Sequence, residues 1–218
     1  STIVLLSLWD EHKLLCCTRW QGLLLLDLKT GKCSRPPFDC GKEIMNVLID
    51  SQKRIWVAPY NGGLNCLTRD GKLLGTYTTR NSSLSNNVVL SLAEREGQIW
   101  IGTYGVGINS LDPETRQFSL LEHIPGRYNY SLPANSILCL YNDRNNNIWA
   151  GSIRNGLISI REVSMKTYKD VLPGNDRGLS NATVLSLFQE SESRIWIGTD
   201  GGGINSFNPL TEKFTHYP

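Results

Sequence analysis

The stretch IWIGTYGVGINSL, at Ile99–Leu111, shares ten of its thirteen residues with IWIGTDGGGINSF at Ile195–Phe207. Weaker copies of this phrase are IWVAPYNGGLNCL at Ile55–Leu67 and IWAGSIRNGLISI at Ile148–Ile160. A fifth, degenerate copy, LLCCTRWQGLLLL, occupies Leu14–Leu26. Successive copies are 41 to 49 residues apart, and such a period is the signature of a repeat architecture.

Each copy lies between other short apolar runs. VVLSL at Val88–Leu92, SILCL at Ser136–Leu140 and TVLSL at Thr183–Leu187 precede three of them. The runs are β-branched or aromatic and are separated by Gly, Asn, Asp and Pro, a pattern typical of strands and tight turns. Four short strands per period predict an all-β fold, a β-propeller of about five four-stranded antiparallel blades.

These repeats divide the chain into five predicted blades within a single propeller or partial propeller over residues 1–218. The blades cover residues 1–41, 42–84, 85–133, 134–180 and 181–218. A chain of this length suits one ordinary domain.

Charge and hydropathy exclude several kinds of partner. The 22 Lys and Arg nearly balance the 20 Asp and Glu, so we expect no nucleic-acid partner and no anionic membrane surface. The longest uninterrupted run of leucines, Leu23–Leu26, is far shorter than a membrane span. Any attachment to a membrane is therefore expected only through a longer parent protein.

The residues that most often carry chemistry are scattered among the repeats. His12, His123 and His216 fall at different places in their repeats and show no metal-binding spacing, so we expect no metal, no cofactor and no catalytic residue. Most of the cysteines occupy slots that hold small residues elsewhere, which favours packing. Cys33 and Cys40 are the one pair near enough in sequence to suggest a disulfide, and the alternative that both are free stays open.

The tryptophan slot of the repeat holds Trp56, Trp100, Trp149 and Trp196, with Leu15 in the degenerate copy. A large apolar residue at a fixed slot predicts packing between blades. A ligand-stacking role for all four is the alternative, and it requires that they be exposed.

Taken together, the phrases IWIGTxGGGINxFxPxTxxFxxYP and SLSNNxV resemble the two-component regulator propeller repeat. The match is strong in Ser85–Leu120 and Asn181–Tyr217 and poor before Lys42. The resemblance implies the periplasmic sensor region of a Bacteroides-type hybrid two-component histidine kinase. Such sensors detect carbohydrate breakdown products and signal to a kinase, which implies an oligosaccharide or sugar ligand for this chain.

The number of repeats departs from that family, whose members usually carry two seven-bladed rings. We therefore expect a fragment of a larger, seven-bladed propeller, and a closed five-bladed ring is the other possibility. An open fan would expose the faces of its end blades, so self-association or dimerisation is expected.

One end of the propeller is the expected binding face. The turns between the second and third strands of the blades vary in sequence, and the longest connection between blades lies at the same end. The hypothesis is a sugar site made of aromatic and polar side chains, since rings pack on C–H faces and polar groups bond hydroxyls. Its residues are Trp20, Tyr60, Tyr104, Arg127, Tyr128, Arg154 and Asp200.

Two other functions stay open at this point. A propeller lyase or glycosidase requires paired carboxylates or a histidine-centred site, and at the variable turns Asp200 stands alone. A protein-interaction scaffold would use the same face without affinity for a small molecule. The interpretation favoured here is a sensor module that is not itself an enzyme.

Overall fold

A computed structural model describes residues 3–18, 20–122, 132, 134–160, 165–172 and 175–218. These residues form five sheets, each of four consecutive antiparallel strands that pair in chain order. Blade 1 contains β1 (Ile3–Asp10), β2 (Lys13–Thr18), β3 (Gly22–Asp27) and β4 (Cys33–Ser34). Blade 2 contains β5 (Ile44–Ile49), β6 (Ile55–Pro59), β7 (Leu64–Leu67) and β8 (Leu73–Tyr77).

The remaining three blades repeat this plan. Blade 3 contains β9 (Val89–Arg95), β10 (Gln98–Thr103), β11 (Gly107–Leu111) and β12 (Phe118–Leu121). Blade 4 contains β13 (Ile137–Asn142), β14 (Ile148–Ser152), β15 (Leu157–Ile160) and β16 (Met165–Tyr168). Blade 5 contains β17 (Val184–Ser191), β18 (Arg194–Thr199), β19 (Gly203–Asn208) and β20 (Lys213–Tyr217).

The first strand of every blade is the inner strand. Each contacts the next, from β1 through β5, β9 and β13 to β17. All five inner strands line a central cavity of about 320 Å³, which includes Leu5 of blade 1 and Leu187 of blade 5. The predicted all-β propeller of five four-stranded blades, arranged in a ring, is confirmed. Within the described residues, no helix is long and apolar enough to cross a membrane.

Every blade has two different apolar faces, because side chains alternate along a strand. The tryptophan face carries the tryptophan slot, and the isoleucine face carries the residue before it, such as Ile55 or Ile99. Trp56 and Leu64 of blade 2 pack against Ile99, Ile101 and other residues of blade 3. The same pairing of a tryptophan face with the next isoleucine face recurs at the other three joints between blades.

Packing accounts for the tryptophan slot, as the sequence predicts. Trp56 and Trp149 are fully buried, and Leu15 fills the slot in blade 1. Trp149 contacts Tyr168 of its own blade and Phe207 of blade 5, with ring centroids 6.4 and 5.5 Å apart. Trp100 and Trp196 are only half-buried.

In three of the blades, a carboxylate accepts a hydrogen bond from the indole N–H of the tryptophan. The indole Nε1 of Trp56 donates to Asp50 Oδ2 at 2.9 Å, and that of Trp149 donates to Asp143 Oδ2 at 2.8 Å. In blade 5, Trp196 Nε1 donates to Glu190 Oε2 at 3.0 Å. The acid stands six residues before the tryptophan each time.

Blade 3 lacks this bond because its first hairpin has one residue fewer between the strand partners: Glu94 pairs with Ile99, whereas Ile49 pairs with Ile55 and Gln189 with Ile195. Arg95 pairs directly with Gln98, with two residues between them. In blade 2 the equivalent bond runs from the N–H of Asp50 to Arg54 O, with three residues between. Glu94, six residues before Trp100, therefore turns to the isoleucine face, where it accepts a 2.7 Å bond from Ser51 N. Such a slip of one position exchanges the faces of a strand.

Arg95 thus takes the place of the carboxylate beside Trp100. Both Arg95 Nε and Trp100 Nε1 are buried, and no described group accepts a hydrogen bond from either. A buried donor left without an acceptor costs about 1–3 kcal/mol.

The end blades expose the faces that their neighbours bury elsewhere. On the isoleucine face of blade 1, Ile3, Leu6 and Leu8 are 54 to 63% exposed. On the tryptophan face of blade 5, Phe188 is 63% and Ile204 is 50% exposed. The two exposed faces are of opposite type.

The glycine that ends each second hairpin is required by a close approach. Gly107 has φ +97°, and a Cβ there would lie 2.4 Å from the carbonyl oxygen of Leu121. Gly63, Gly156 and Gly203 meet a carbonyl of the fourth strand at 2.1 to 2.3 Å in the same way. Only glycine fits this position.

We expect Asp143→Ala to lower the free energy of unfolding by roughly 2–4 kcal/mol, because hydrogen bonds to a buried carboxylate are strong. Asp143 also accepts bonds from the backbone N–H groups of Asn145 and Asn147, at 2.9 and 2.8 Å. Urea unfolding measures the loss. Asp176→Ala is the control, since its ion pair with Lys213 is exposed and worth little. Equal unfolding midpoints for the two variants would contradict the role of the Trp149 bond.

Gly107→Ala and Gly105→Ala separate the effect of crowding from that of backbone conformation. Both glycines have positive φ, but a Cβ at Gly105 meets nothing within 4 Å. Gly105→Ala should cost roughly 1 kcal/mol, and Gly107→Ala clearly more, because it adds the clash to the same strain. Thermal unfolding of both variants checks the order, and equal losses would show that the close approach does not matter.

Candidate functional site

The hairpin between the second and third strands has one design in most blades. The residue at its first position has a side-chain hydroxyl, which donates a hydrogen bond to the carbonyl of the closing glycine. Thr18 Oγ1 bonds Gly22 O at 2.8 Å, and Thr103 Oγ1 bonds Gly107 O at 2.9 Å. Ser152 and Thr199 do the same in blades 4 and 5, and Pro59 holds the position in blade 2.

The backbone of these hairpins is bonded on both sides. The N–H of Tyr104 donates to Val88 O of its own blade at 3.0 Å. The N–H of Gly107 donates to Asn135 O, just before the inner strand of blade 4, at 2.7 Å. Equivalent bonds from Gly22, Gly63 and Gly156 reach the following blade in each case. The hairpins are therefore a fixed platform, and the side chain at the second position is free to vary.

Three aromatic side chains project from this platform. Trp20, Tyr60 and Tyr104 lie on the hairpins of blades 1, 2 and 3 and are 55 to 61% exposed. Exposed aromatic rings at one end of three successive blades offer apolar faces on which a ligand can pack.

Polar side chains continue this surface on the last two blades. Arg154 and Asp200 are exposed on the corresponding hairpins of blades 4 and 5. Arg154 has φ +64°, a conformation that glycine holds in blades 3 and 5. Five predicted site residues thus lie at the same end of the propeller. The other two, Arg127 and Tyr128, lie outside the described residues.

The connections into blades 3 and 5 are anchored at this same end. In blade 3, Ser85 donates from its N–H and its hydroxyl to Asn109 Oδ1, at 3.1 and 2.7 Å. In blade 5, the N–H of Ser180 donates to Asn205 Oδ1 at 2.9 Å. Sequence reasoning missed these anchors and the hydroxyl bonds to the closing glycines. The Ser, Asn and Thr slots that form them do recur in the repeats.

The cysteines and the possible metal ligands of the described residues form no cluster. All six cysteines are free, so Cys33 and Cys40 are not bridged. Burial raises the pKa of the Cys17 thiol to about 12 and that of Cys66 to about 11, so neither is a thiolate at neutral pH. Within the described part of the chain, no group of three His, Cys, Asp or Glu side chains is placed to hold a metal ion.

Two of the three histidines lie in the described residues, on blades 1 and 5. His216 Nε2 lies 2.8 Å from Gly178 O, and His12 is exposed in a hairpin of blade 1. His123 lies outside the described residues.

Comparison with solved structures identifies the same architecture elsewhere. The extracellular domain of the putative hybrid two component system BT3049 from B. thetaiotaomicron is 23% identical, with a TM-score of 0.72 over 94% of this chain. PorZ, a surface component of the type-IX secretion system of Porphyromonas gingivalis, is 13% identical, with a TM-score of 0.68 over 95% of this chain. The WD40 propeller domain of Doa1 is 14% identical, with a TM-score of 0.67 over 97%.

These likenesses show the fold. The matched proteins are longer than this chain. The chain covers 26% of the BT3049 domain, 32% of PorZ and 67% of the Doa1 domain. No curated protein matches it.

The family model described as "Two component regulator propeller" matches three segments of the chain, residues 83–105, 131–154 and 178–201. The first and third segments contain the anchoring serines Ser85 and Ser180 together with the two inner strands that follow them. The predicted resemblance is therefore confirmed, and these three segments match the repeat of the two component regulator propeller.

Proposed function

We propose that this chain is the extracytoplasmic ligand-sensing propeller of a hybrid two-component sensor histidine kinase. It lies in the periplasm, detects carbohydrate breakdown products and does no chemistry itself. The matched repeats support this proposal, as does the likeness to an extracellular domain of a putative hybrid two component system. The kinase belongs to another part of the parent protein.

The observation that carries the proposal is the row of exposed rings on the hairpin platform. Trp20, Tyr60 and Tyr104 lie on backbone that hydrogen bonds hold to two blades at once, so they need little reordering when a ligand binds. Arg154 and Asp200 add a cation and an anion at the same end. The near balance of charge on the chain disfavours a nucleic acid, and an oligosaccharide is the ligand that we propose for this face.

A ligand signals only if it binds two states of the sensor with different affinity. The hairpins supply a route, because those of blades 1 to 4 are bonded both to their own blade and to the next. An oligosaccharide that spans two hairpins would favour one spacing of the blades over another. In the parent protein, that spacing would be passed on to the kinase.

The binding face is tested with oligosaccharides on a glycan array and then by calorimetry with any that bind. Tyr60→Ala and Tyr104→Ala should each weaken binding about tenfold, because each removes one stacked ring. Leu210→Ala is the control, since Leu210 is 75% exposed on a hairpin at the other end of the propeller. Unchanged affinity in both tyrosine variants would reject this face as the ligand site.

We also propose that the chain associates with a second copy, head to tail. Every joint inside the propeller packs a tryptophan face on an isoleucine face, and the two end faces are one of each type. Leu8 of one copy and Phe188 of the other are both 63% exposed where such a contact would form. The second copy would continue the same packing.

Mass measurement by light scattering tests this association with two capped variants. Leu8→Lys blocks the face of blade 1, and Phe188→Lys blocks that of blade 5, because a buried unpaired charge is costly. Wild type should exceed the 24.4 kDa of one chain, and each variant alone should be monomeric. An equimolar mixture should give a dimer, since each variant keeps the face that the other lacks. Monomeric wild type, or a mixture that stays monomeric, would reject the contact.

A further inference from the structure

A cavity of about 340 Å³ lies on the tryptophan face of blade 3, at its outer edge. It extends from Arg95, beside the short hairpin that ends β9, along the outer strands to Ile108 and Leu121. Arg95, Trp100, Ser110 and Ser119 contribute polar atoms to its lining, and the walls are apolar.

The register of the blade explains why these polar groups meet. Trp100 pairs with Ser110 across β10 and β11, and Ser110 pairs with Ser119 across β11 and β12. Residues directly opposite one another in a sheet share a face. The indole and the two hydroxyls therefore form one row. Ala93 lies opposite Trp100 on the inner strand, and Arg95 lies two residues further along that strand, on the same face.

The cavity exists because blade 3 lacks an aromatic residue that its neighbours have. Tyr77 pairs with Leu64 in blade 2, and Tyr168 pairs with Leu157 in blade 4. Each of these tyrosines lies against the tryptophan of its own blade, with ring centroids 6.0 and 6.4 Å apart. The equivalent residue in blade 3 is Leu121, which lines the cavity instead of filling it.

Two donors in the lining have no acceptor. Arg95 Nε and Trp100 Nε1 are buried and unpaired within the described residues, and Arg95 takes part in none of the ion pairs found there. The Arg95 guanidinium lies 5.8 Å from the centre of the Trp100 ring. Arg54 and Arg194 lie 5.8 Å from their tryptophan rings as well, but each of them also bonds a carboxylate of its own blade.

Blades 2 and 5 show which group accepts hydrogen bonds from an arginine and a tryptophan together. Asp50 Oδ2 accepts from both Arg54 Nε and Trp56 Nε1, at 2.6 and 2.9 Å. Glu190 Oε2 accepts from both Arg194 Nη1 and Trp196 Nε1, at 3.3 and 3.0 Å. In blades 2 and 5, one carboxylate oxygen is thus shared by a guanidinium and an indole. Blade 3 has Gln98 in the slot of Arg54 and carries Arg95 in the slot of the acid, so it presents a guanidinium and an indole with no carboxylate.

We propose that blade 3 binds the carboxylate of a small organic acid between Arg95 and Trp100. The ligand's carboxylate accepts hydrogen bonds from a guanidinium and an indole, as Asp50 and Glu190 do in their own blades. Its remaining atoms lie in the cavity, where Ser110 and Ser119 offer hydroxyls and Leu121 and Ile160 offer apolar surface. This site is separate from the hairpin platform and does not depend on the sugar-sensing proposal.

The direct probe is the indole N–H of Trp100, followed by nitrogen–proton NMR on the whole chain. Sodium acetate is titrated at constant ionic strength against sodium chloride, and Trp100→Phe identifies the resonance. Acetate should shift the Trp100 signal saturably, and chloride should not. Sodium sulfate in a parallel titration shows whether the site selects a carboxylate or accepts any oxyanion, and a stronger response to sulfate would overturn the choice of carboxylate.

Two substitutions of Arg95 and one matched control decide the result. Arg95→Met should weaken acetate binding at least about tenfold, because it removes a charge-assisted bond. Arg95→Asp should abolish it, since it supplies the carboxylate that the other blades carry. Arg194→Met is the control, because Arg194 lies equally far from its tryptophan ring but has Glu190 as its partner, and it should leave the Trp100 titration unchanged.

Internal pairing is the competing explanation. Asn142 on blade 4 donates to Glu94 O at 2.9 Å, and its own Oδ1 is buried without a partner. If a rearranged Asn142 satisfies Arg95 in solution, wild type will not respond to acetate and Asn142→Ala will. That result, or a Trp100 shift that persists in both Arg95 variants, would overturn the proposal.

Discussion

Covering both faces of every blade is the constraint on which the structure depends. A four-stranded sheet of alternating side chains has an apolar surface on each side, and neither can be left in water without cost. The repeat solves this by giving the two sides different chemistry, so that the tryptophan face of one blade fits the isoleucine face of the next. The ring arrangement follows from repeating that contact at each joint.

Packing between the blades also determines which polar groups recur at fixed positions of the repeat. The acid beside the tryptophan satisfies an indole that would otherwise be buried with a free N–H, as Asp50 and Asp143 show. The hydroxyl at the start of the second hairpin and the glycine at its end shape a turn that must pass close to the fourth strand. These residues hold the scaffold in place, and the slots between them are left to vary.

Much of this architecture was readable from the repeats alone. The period, the strand runs and the tryptophan slot predicted the blades, because local patterns determine them. The end of the propeller that carries Trp20, Tyr60 and Tyr104 also followed from strand direction. Whether those side chains contact a ligand is not a property of the pattern, since an exposed tyrosine in a hairpin has the same sequence context with or without a partner.

The cavity beside Trp100 shows what a linear comparison of repeats cannot reveal. Glu94 stands six residues before its tryptophan, as Asp50, Asp143 and Glu190 do, and an alignment without gaps gives it the same role. The hairpin is one residue shorter, and the side chain points to the other side of the sheet. Counting from the strand pairs, rather than from the tryptophan, is what separates the two cases.

The joints of the propeller differ in how they are filled. Between blades 4 and 5, Trp149, Tyr168, Phe207 and Phe214 form one aromatic cluster. Between blades 3 and 4 the core is aliphatic apart from a half-buried Trp100, and the cavity lies beside it. Because Ile160 of blade 4 lines this cavity together with residues of blade 3, a group bound there would touch two blades at once and add to the contact between them.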